Sequence, residues 1–401
     1  MSQKGIIIGG GIAGTSVALF LKRLNLDVEI YEAYEKRTDV GGGFQVAPNG
    51  MRVMAELGLA SAVIQEGVES TVMCFQNHKG EVLANVDQDG RKKYGIPSVN
   101  IARSTFHEIL VDEVGRNGIP IYYQKRLKKI IQTDTEVRAI FEDGTEATGS
   151  FLIGADGVHS KTRKYVVENG PRPFYTGLQN VGGFAPARSF SGLQSYSQST
   201  TYLTFGRKGF FGYCFCNKGP EEEVMWWSNI PENRELSREE LRQFGTEDIK
   251  KELFELHKDW HAPIESIIQQ SSAIFKSNIY DIDHLPRWSK NKVVLIGDAA
   301  HAMSPHAGQG ASVALEDSMY LAKLVKDSNL PMEQIFQQFE QDRKARAEKI
   351  IKTARRNGSG KKELGAIACW FRDRFLRLML PIFAGKGQDW IHSYQIDWEQ
   401  Q

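Results

Sequence analysis

The sequence predicts an α/β fold: a parallel-sheet domain built on βαβ units, an inserted sheet-rich lobe and a C-terminal helical tail. Three observations carry this. The chain has 401 residues, beyond the size at which a single hydrophobic core stops growing, so two lobes are expected. A glycine cluster, Gly9 to Gly14, stands between an apolar strand and an apolar-periodic helix. From about residue 172 to 285, clean strand–helix alternation gives way to β-type runs dense in aromatics.

In chain order, Gly5 to Ile8 reads as a buried strand. Val17, Ala18, Leu19, Leu21 and Leu24 then give helical spacing over Thr15 to Leu26, and Val28 to Tyr31 is a second strand. Leu57 to Gln65 looks helical, residues 87–96 look like a polar loop, and Arg103 to Val114 looks helical. Val137 to Phe141, Glu142-Asp143-Gly144-Thr145 and a return strand make a hairpin signal, which marks Asp143-Gly144 as a structural turn. Phe151 to Ile153 and Val293 to Ile296 are short buried-strand patterns. Residues 237–257 predict one or two charged surface helices, Gly310 to Lys326 a helix, and 333 onward a helical tail.

Composition narrows the class. Lys and Arg total 50 against 49 Asp and Glu, and no basic patch is interleaved with aromatics, so nucleic acid is not an expected partner. The four cysteines, Cys74, Cys214, Cys216 and Cys369, lack metal-ligand spacing with histidine, so no metal is expected. Sparse cysteines and the lack of a signal-peptide pattern fit a reducing, cytoplasmic compartment. No apolar run is long enough to predict a transmembrane helix.

Gly9-Gly10-Gly11-Ile12-Ala13-Gly14 is G-x-G-x-x-G in a Rossmann-like setting, after a strand and opening a helix. Gly9 permits a tight turn, Gly11 a close approach of backbone to a pyrophosphate, and Gly14 close helix–strand packing. The helix N-terminus offers free N–H groups to the anion. Glu32, about 20 residues on, is placed to accept from a ribose diol. These features predict a dinucleotide and leave FAD and NAD both open.

Two further strand-end motifs follow. Asp156-Gly157-Val158-His159-Ser160-Lys161-Thr162-Arg163 is D-G-x-x-S-x-x-R, and Gly297-Asp298-Ala299-Ala300-His301 leads into Ser304-Pro305-His306-Ala307-Gly308-Gln309-Gly310. With Gly9 to Gly14, and with Gly41-Gly42-Gly43, Pro48-Asn49-Gly50, Arg103 and Ile396-Asp397-Trp398, they resemble the group A flavoprotein monooxygenases. That aromatic-hydroxylase family includes the salicylate, urate and zeaxanthin-epoxidising enzymes.

The resemblance implies a Rossmann-like FAD-binding domain of the glutathione reductase and p-hydroxybenzoate hydroxylase kind over residues 1–70, 100–171 and 286–330. It implies a substrate-binding β-sheet lobe over 72–99 and 172–285, and C-terminal helices over 331–401. It further implies FAD reduced by NADPH or NADH. One atom of O2 would then pass to a small organic substrate, by hydroxylation or epoxidation, from a flavin C4a-hydroperoxide.

By that resemblance Gly9, Gly11, Ile12, Ala13, Gly14, Glu32, Gly43, Arg103, Asp156, Gly157, Gly297, Asp298, Gly310 and Ala311 bind the cofactor. Pro305, Gly308, Gln309 and Gly310 form the loop beside the reacting ring. Pro305 stiffens that loop, and the helix opening at Gly310 can stabilise negative charge. Ser312 departs from the family pattern, where many members carry Asn. His301 and His306 are expected to be scaffold histidines. Phe210, Tyr213 and Trp226 are candidate substrate contacts, with Tyr202, Phe211 and Trp227 beside them.

Rival chemistries remain on the same fold. Flavin-dependent halogenases carry W-x-W-x-I-P, whereas Trp226-Trp227-Ser228-Asn229-Ile230-Pro231 has Ser228 at the second tryptophan. Oxygen-independent flavin oxidoreduction and a non-catalytic flavin-binding role are further alternatives. Ala366 to Phe383, with Arg372, Arg374 and Arg377, is a basic amphipathic stretch. It is expected to pack on the FAD domain, with peripheral membrane contact as the alternative and Pro381 as its stop or kink.

Overall fold

The computed structural model describes residues 4–35, 41–189, 195–207, 209–219, 221–359 and 364–399. A six-stranded sheet runs in the order Ser289–Lys290, Val293–Leu295, Phe151–Gly154, Lys4–Ile8, Asp27–Tyr31, Ile121–Tyr122. All neighbours in it are parallel except the first pair. Its strands read as continuous apolar runs because both faces are covered, one by helix Ile12–Arg23 and the other by a three-stranded antiparallel sheet of Leu127–Gln132, Val137–Phe141 and Glu146–Gly149. Ile6, Ile7, Leu152, Val293 and Val294 are fully buried.

The register decides where chemistry can occur. Ile8 pairs with Tyr31 and Gly154, and Gly154 pairs with Leu295. Four adjacent strands therefore end side by side. They deliver Gly9, Glu32, Asp156 and Asp298 to one edge, the edge at which open α/β sheets bind ligands.

Helices Ile12–Arg23 and Gly310–Asp327 start at that edge and pack together, with a hydrogen bond of 2.8 Å between the Ser16 and Ser318 hydroxyls. Gly297 (φ +57°) wedges between them. A Cβ there would lie 3.1 Å from the Ala13 Cβ and 3.2 Å from that of Ala314.

A seven-stranded sheet forms the second layer, in the order Ile274–Asp281, Phe174–Pro186, Glu223–Pro231, Phe210–Phe215, Thr200–Phe205, Val72–Asn77, Val82–Asp87. Helices Thr246–Leu256 and Ile264–Gln270 cover one face, burying Ile249, Leu253, Ile264 and Ile268 against it. The other face meets a small sheet of Gly43–Val46, Ser98–Ala102 and Val68–Ser70. There a Cβ at Gly43 would fall 2.0 Å from the Met225 Sδ, and one at Gly42 would fall 2.7 Å from the Phe275 ring.

Some expectations need correction. The helix expected over Leu57 to Gln65 starts later, as Ala60–Glu66 after the turn at Gly58, and a helix not expected from the sequence, Pro48–Glu56, precedes that turn. Residues 87–96 are not all loop. Gly90–Tyr94 is a short helix, because the Asp89 carboxylate accepts the Lys92 N–H (3.2 Å) as an N-cap. Helix Ala366–Gly387 packs chiefly on strand Val82–Asp87 of the large sheet, not on the parallel-sheet layer, and it continues through Pro381. No helix among the described residues is long and apolar enough to cross a membrane.

Candidate active site

The glycine loop is set by sterics. Gly9 has φ +107°, and a Cβ on it would sit 2.3 Å from the Ala155 carbonyl oxygen. A Cβ on Gly14 would sit 1.9 Å from the Gly9 carbonyl oxygen. Ile12 and Ala13 are buried behind the loop. Gly11 differs, since a Cβ there would meet nothing within 4 Å, and the same holds at Gly157, Gly308 and Gly310. At these four glycines the backbone borders open space.

Two helix N-termini open onto that edge without side-chain caps, at Gly11 and at Gln309. Their first N–H groups are unpartnered donors at the positive end of a helix dipole.

The acidic residues divide by their partners. Glu32 accepts the Gly10 N–H (2.8 Å) and the Tyr34 N–H (2.9 Å), so its carboxylate is held rigidly beside the glycine loop. Asp156 accepts from the Ser160 hydroxyl (2.5 Å), the Lys161 N–H (2.8 Å), the Thr162 N–H (3.0 Å) and the Thr162 hydroxyl (3.1 Å). It thereby takes the first two N–H groups of helix Lys161–Val166, whose N-cap is Ser160. Asp298 is exposed, and its carboxylate makes no hydrogen bond among the described residues. Of the three, Asp298 alone has both carboxylate oxygens without a protein partner among the described residues, while each Glu32 oxygen keeps a second lone pair beyond its one N–H.

Arg163 and His107 are two ties that sequence reasoning left unassigned. The buried Arg163 guanidinium donates to the carbonyls of Val158, Ala299 (3.0 Å) and Asp298 (3.4 Å), stapling the second motif to the third. Arg163 ends the quoted D-G-x-x-S-x-x-R pattern, so its signal was in view. His107 shares a 2.6 Å hydrogen bond with the Gly10 carbonyl. It stands one helical turn after Arg103, which is exposed at the start of helix Arg103–Arg116 with its Cδ beside Gly41.

Beneath the Pro305–Gly310 loop lies a buried charged network. Asp317 accepts the Gly297 N–H (3.0 Å) and pairs with the His301 Nε2 (2.6 Å) and the Arg343 Nε (3.0 Å). Glu316 accepts from Arg343 (2.7 Å), Arg346 (2.8 Å) and the Asn49 amide (2.7 Å). Asn49 donates onward to the Gln309 Oε1 (3.1 Å), and the Gln309 amide donates to the His392 Nε2 (3.3 Å).

Burial opposes charge on His301, but the adjacent Asp317 carboxylate outweighs it and holds the imidazole pKa above its ordinary value. Burial pushes the His392 pKa down to about 4, so it is neutral and able to accept. His301 is thus a scaffold residue, and His306 packs its ring where a Cβ on Gly358 would lie. The Ser312 hydroxyl accepts the Ala47 N–H (3.3 Å).

The sheet opposite supplies a wall. Strand alternation puts Leu203, Phe210, Met225, Trp227 and Phe275 on the face toward Gly42 and Gly43. Of the three substrate-contact candidates, only Phe210 is on that face. Tyr213 and Trp226 point the other way, into the core under the covering helices, with Tyr202 and Phe211. Density of aromatics could not separate them, but the period-two alternation could. Ser228 is also on the covered face, paired with His257 Nε2 (3.0 Å), so the tryptophan pair of the halogenase pattern is absent in space as well as in sequence. Between the sheets, Gln45 donates to Asn100 (3.2 Å) and Asn100 to Thr201 (3.2 Å).

The residues fit a dinucleotide that carries a flat ring. Glycine backbone borders open space at the strand edge, two helix N-termini are uncapped, and a free carboxylate stands beside them. The Ser304 hydroxyl, buried beside Pro305, has no partner among the described residues. A family model described as an FAD binding domain matches residues 3–354. The chain belongs to this FAD-binding family. FAD is its cofactor.

Curated relatives match this chain over most of their length. The 6-hydroxynicotinate 3-monooxygenase of Pseudomonas fluorescens is 27% identical over 357 residues, covering 88% of this chain and 90% of the relative. The 3-amino-4-hydroxybenzoate 2-monooxygenase of Streptomyces cremeus is 29% identical, covering 87% and 85%. The FAD-dependent urate hydroxylase of Klebsiella oxytoca is 26% identical, covering 92% and 94%. Klebsiella pneumoniae HpxO, solved with FAD and uric acid, shares the fold at a TM-score of 0.82 and 23% identity, over 94% of this chain and 93% of that one.

Proposed function

We propose that this chain is an FAD-dependent, NAD(P)H-consuming monooxygenase that adds one atom of O2 to a small aromatic or unsaturated molecule. The observation that carries the reading is the register Tyr31–Ile8–Gly154–Leu295. It gathers Glu32, the glycine loop, Asp156-Gly157 and Gly297-Asp298 at one edge, opposite an uncharged wall of Leu203, Phe210, Met225 and Trp227. FAD, once reduced by the nicotinamide, supplies the oxygen activation that no side chain here provides. The relatives' names, with monooxygenase or hydroxylase chemistry on hydroxylated rings, support the same reaction class.

Each residue then has a task. The Gly9–Gly14 loop and the helix opening at Gly11 hold the pyrophosphate, with Gly157 at its side. Glu32 holds the adenosine ribose, and the exposed Asp298 accepts from the ribityl hydroxyls. Arg103 stands toward the phosphates, while Gly43 keeps the two sheets close enough to enclose the site. Asp156 works at one remove, by fixing the loop that carries Gly157. Pro305 and Gly308 shape the loop beside the ring, Gln309 is locked by Asn49 and His392, and the Gly310 and Ala311 N–H groups stabilise negative charge on the ring.

In this reading residues 1–70, 100–171 and 286–330 are the FAD-binding domain, and 72–99 with 172–285 the substrate-facing lobe. The wall excludes water and grips an apolar ring, and the Gln45–Asn100–Thr201 chain offers it hydrogen bonds. The test is a substrate screen that follows NAD(P)H oxidation together with hydrogen peroxide release. A true substrate raises consumption, lowers peroxide release, and yields a product that carries one label atom from 18O2. Substrate-stimulated consumption with an unlabelled product would instead mark an oxygen-independent oxidoreductase.

A further inference from the structure

Helix Ala366–Gly387 is docked by one side only. Its Arg372 guanidinium donates to the Gly206 carbonyl (2.7 Å) and the Phe205 carbonyl (3.4 Å). Cys369 Sγ lies 3.9 Å from the Gly206 carbonyl, and Arg377 reaches Glu81 (2.8 Å).

The opposite side is apolar and uncovered. Ile367, Phe371, Phe375 and Leu378 follow one another at helical spacing and are 76%, 62%, 60% and 68% exposed, with Trp370 beside them at 55%. These are five of the ten large hydrophobics exposed among the described residues, gathered on one helix. Scattered exposed hydrophobics are ordinary, but a contiguous stripe marks an interaction surface.

The charge left without an opposite partner beside this stripe is positive. Arg374 lies over the Trp370 ring (5.3 Å), while Asp373 is held by Arg372 (2.8 Å) and Arg377 is paired with Glu81 (2.8 Å). Aromatic and aliphatic side chains bordered by arginine are what an anionic lipid surface recognises. The rings enter the headgroup boundary, and the guanidinium groups stay with the phosphates. No helix among the described residues is long and apolar enough to cross a bilayer, so this helix would lie in the plane of the surface. We propose that the 367–378 face of this helix docks the protein on an anionic lipid bilayer. Phe205, whose carbonyl anchors the helix, packs at 5.1 Å against Phe210 of the chamber wall, so a docked surface would adjoin the candidate site.

The test uses the flavin-loaded full chain. It is sedimented with vesicles of phosphatidylcholine alone and of phosphatidylcholine mixed with phosphatidylglycerol. The wild type co-sediments with the mixed vesicles and far less with the neutral ones, and added salt weakens the association. Phe371→Ser combined with Phe375→Ser lowers the partition by roughly tenfold or more. Arg374→Glu gives a loss on the order of tenfold, confined to the anionic vesicles, as expected for reversing one surface charge. Both variants keep their bound flavin and thermal midpoint, because these side chains face solvent. Equal sedimentation of wild type and variants, or none with either vesicle, overturns the proposal. So does a wild-type dimer in sedimentation velocity that Phe371→Ser with Phe375→Ser reduces to a monomer without any vesicle binding, since the face would then belong to a second copy.

Discussion

At the scale of single residues, two aspartates quoted from similar motifs have opposite duties. Asp156 spends its carboxylate on Ser160, Lys161 and Thr162, and Asp298 spends none on the protein. Asp156→Ala should therefore cost about 1–3 kcal/mol of stability, from orphaned donors at the start of helix Lys161–Val166. Asp298→Ala should leave the thermal midpoint of the FAD-free protein nearly unchanged and raise the FAD dissociation constant. Paired thermal melts and flavin titrations check both variants. Equal melting losses for the two would contradict the division. The Asp-Gly pattern could not reveal it, because both aspartates end strands, and only the hydrogen-bond partners tell a cap from a ligand.

At the scale of elements, stability depends on two histidines kept neutral by burial, His392 beside Gln309 and His257 beside Ser228 on the covered face of the large sheet. The pKa of His392 falls to about 4 and that of His257 to about 3, burial being the main cause in each. The unfolded chain binds protons at these positions below about pH 6.5, and the folded chain refuses them until about pH 4 or lower. Stability contributed by these groups is thus present above pH 6.5 and declines as pH falls toward 4. Thermal melts between pH 7.5 and 4.5 should show a falling midpoint, and His257→Gln with His392→Gln should flatten the slope. His301 acts in the other sense. Its pKa is raised by Asp317 against the cost of burial, so its contribution is full below about pH 6.5 and fades as pH rises through that elevated value.

Arg163 belongs to the same scale, because it joins two strand-end loops rather than filling a site. Arg163→Ala should cost about 2–4 kcal/mol by leaving the Ala299 and Val158 carbonyls unpaired, and it should weaken FAD binding as well. Chemical denaturation and flavin titration on the same sample measure the two losses together.

At the scale of the whole molecule, function follows from which face of the large sheet a side chain takes. Trp226→Ala should cost about 3–5 kcal/mol, since it opens a cavity under the covering helices. Trp227→Ala, on the other face, should cost less stability and should alter KM or the coupling of NAD(P)H use to product. Denaturation curves and steady-state kinetics separate them.

Much of this plan was legible in the sequence. The βαβ start, the three strand-end motifs and the glycine openings are local patterns with strict steric reasons. The turn at Gly58 and the cap at Asp89 were local too, but the first was hidden by an apolar pattern running across it and the second by the polar residues around it. The Asn49–Glu316–Arg343–Asp317–His301 network was not legible, because its members come from four distant segments and carry no periodicity. The choice of Phe210 over Tyr213 and Trp226 lay within reach of strand alternation and turned on knowing which face the helices cover.

The most direct test of the account is the FAD content of the purified chain, read from its visible absorbance, beside that of Asp298→Ala. The account predicts a yellow protein with close to one FAD per chain, and a variant that loses flavin on dialysis while staying folded. A wild-type protein that is colourless and takes up no added FAD would contradict it.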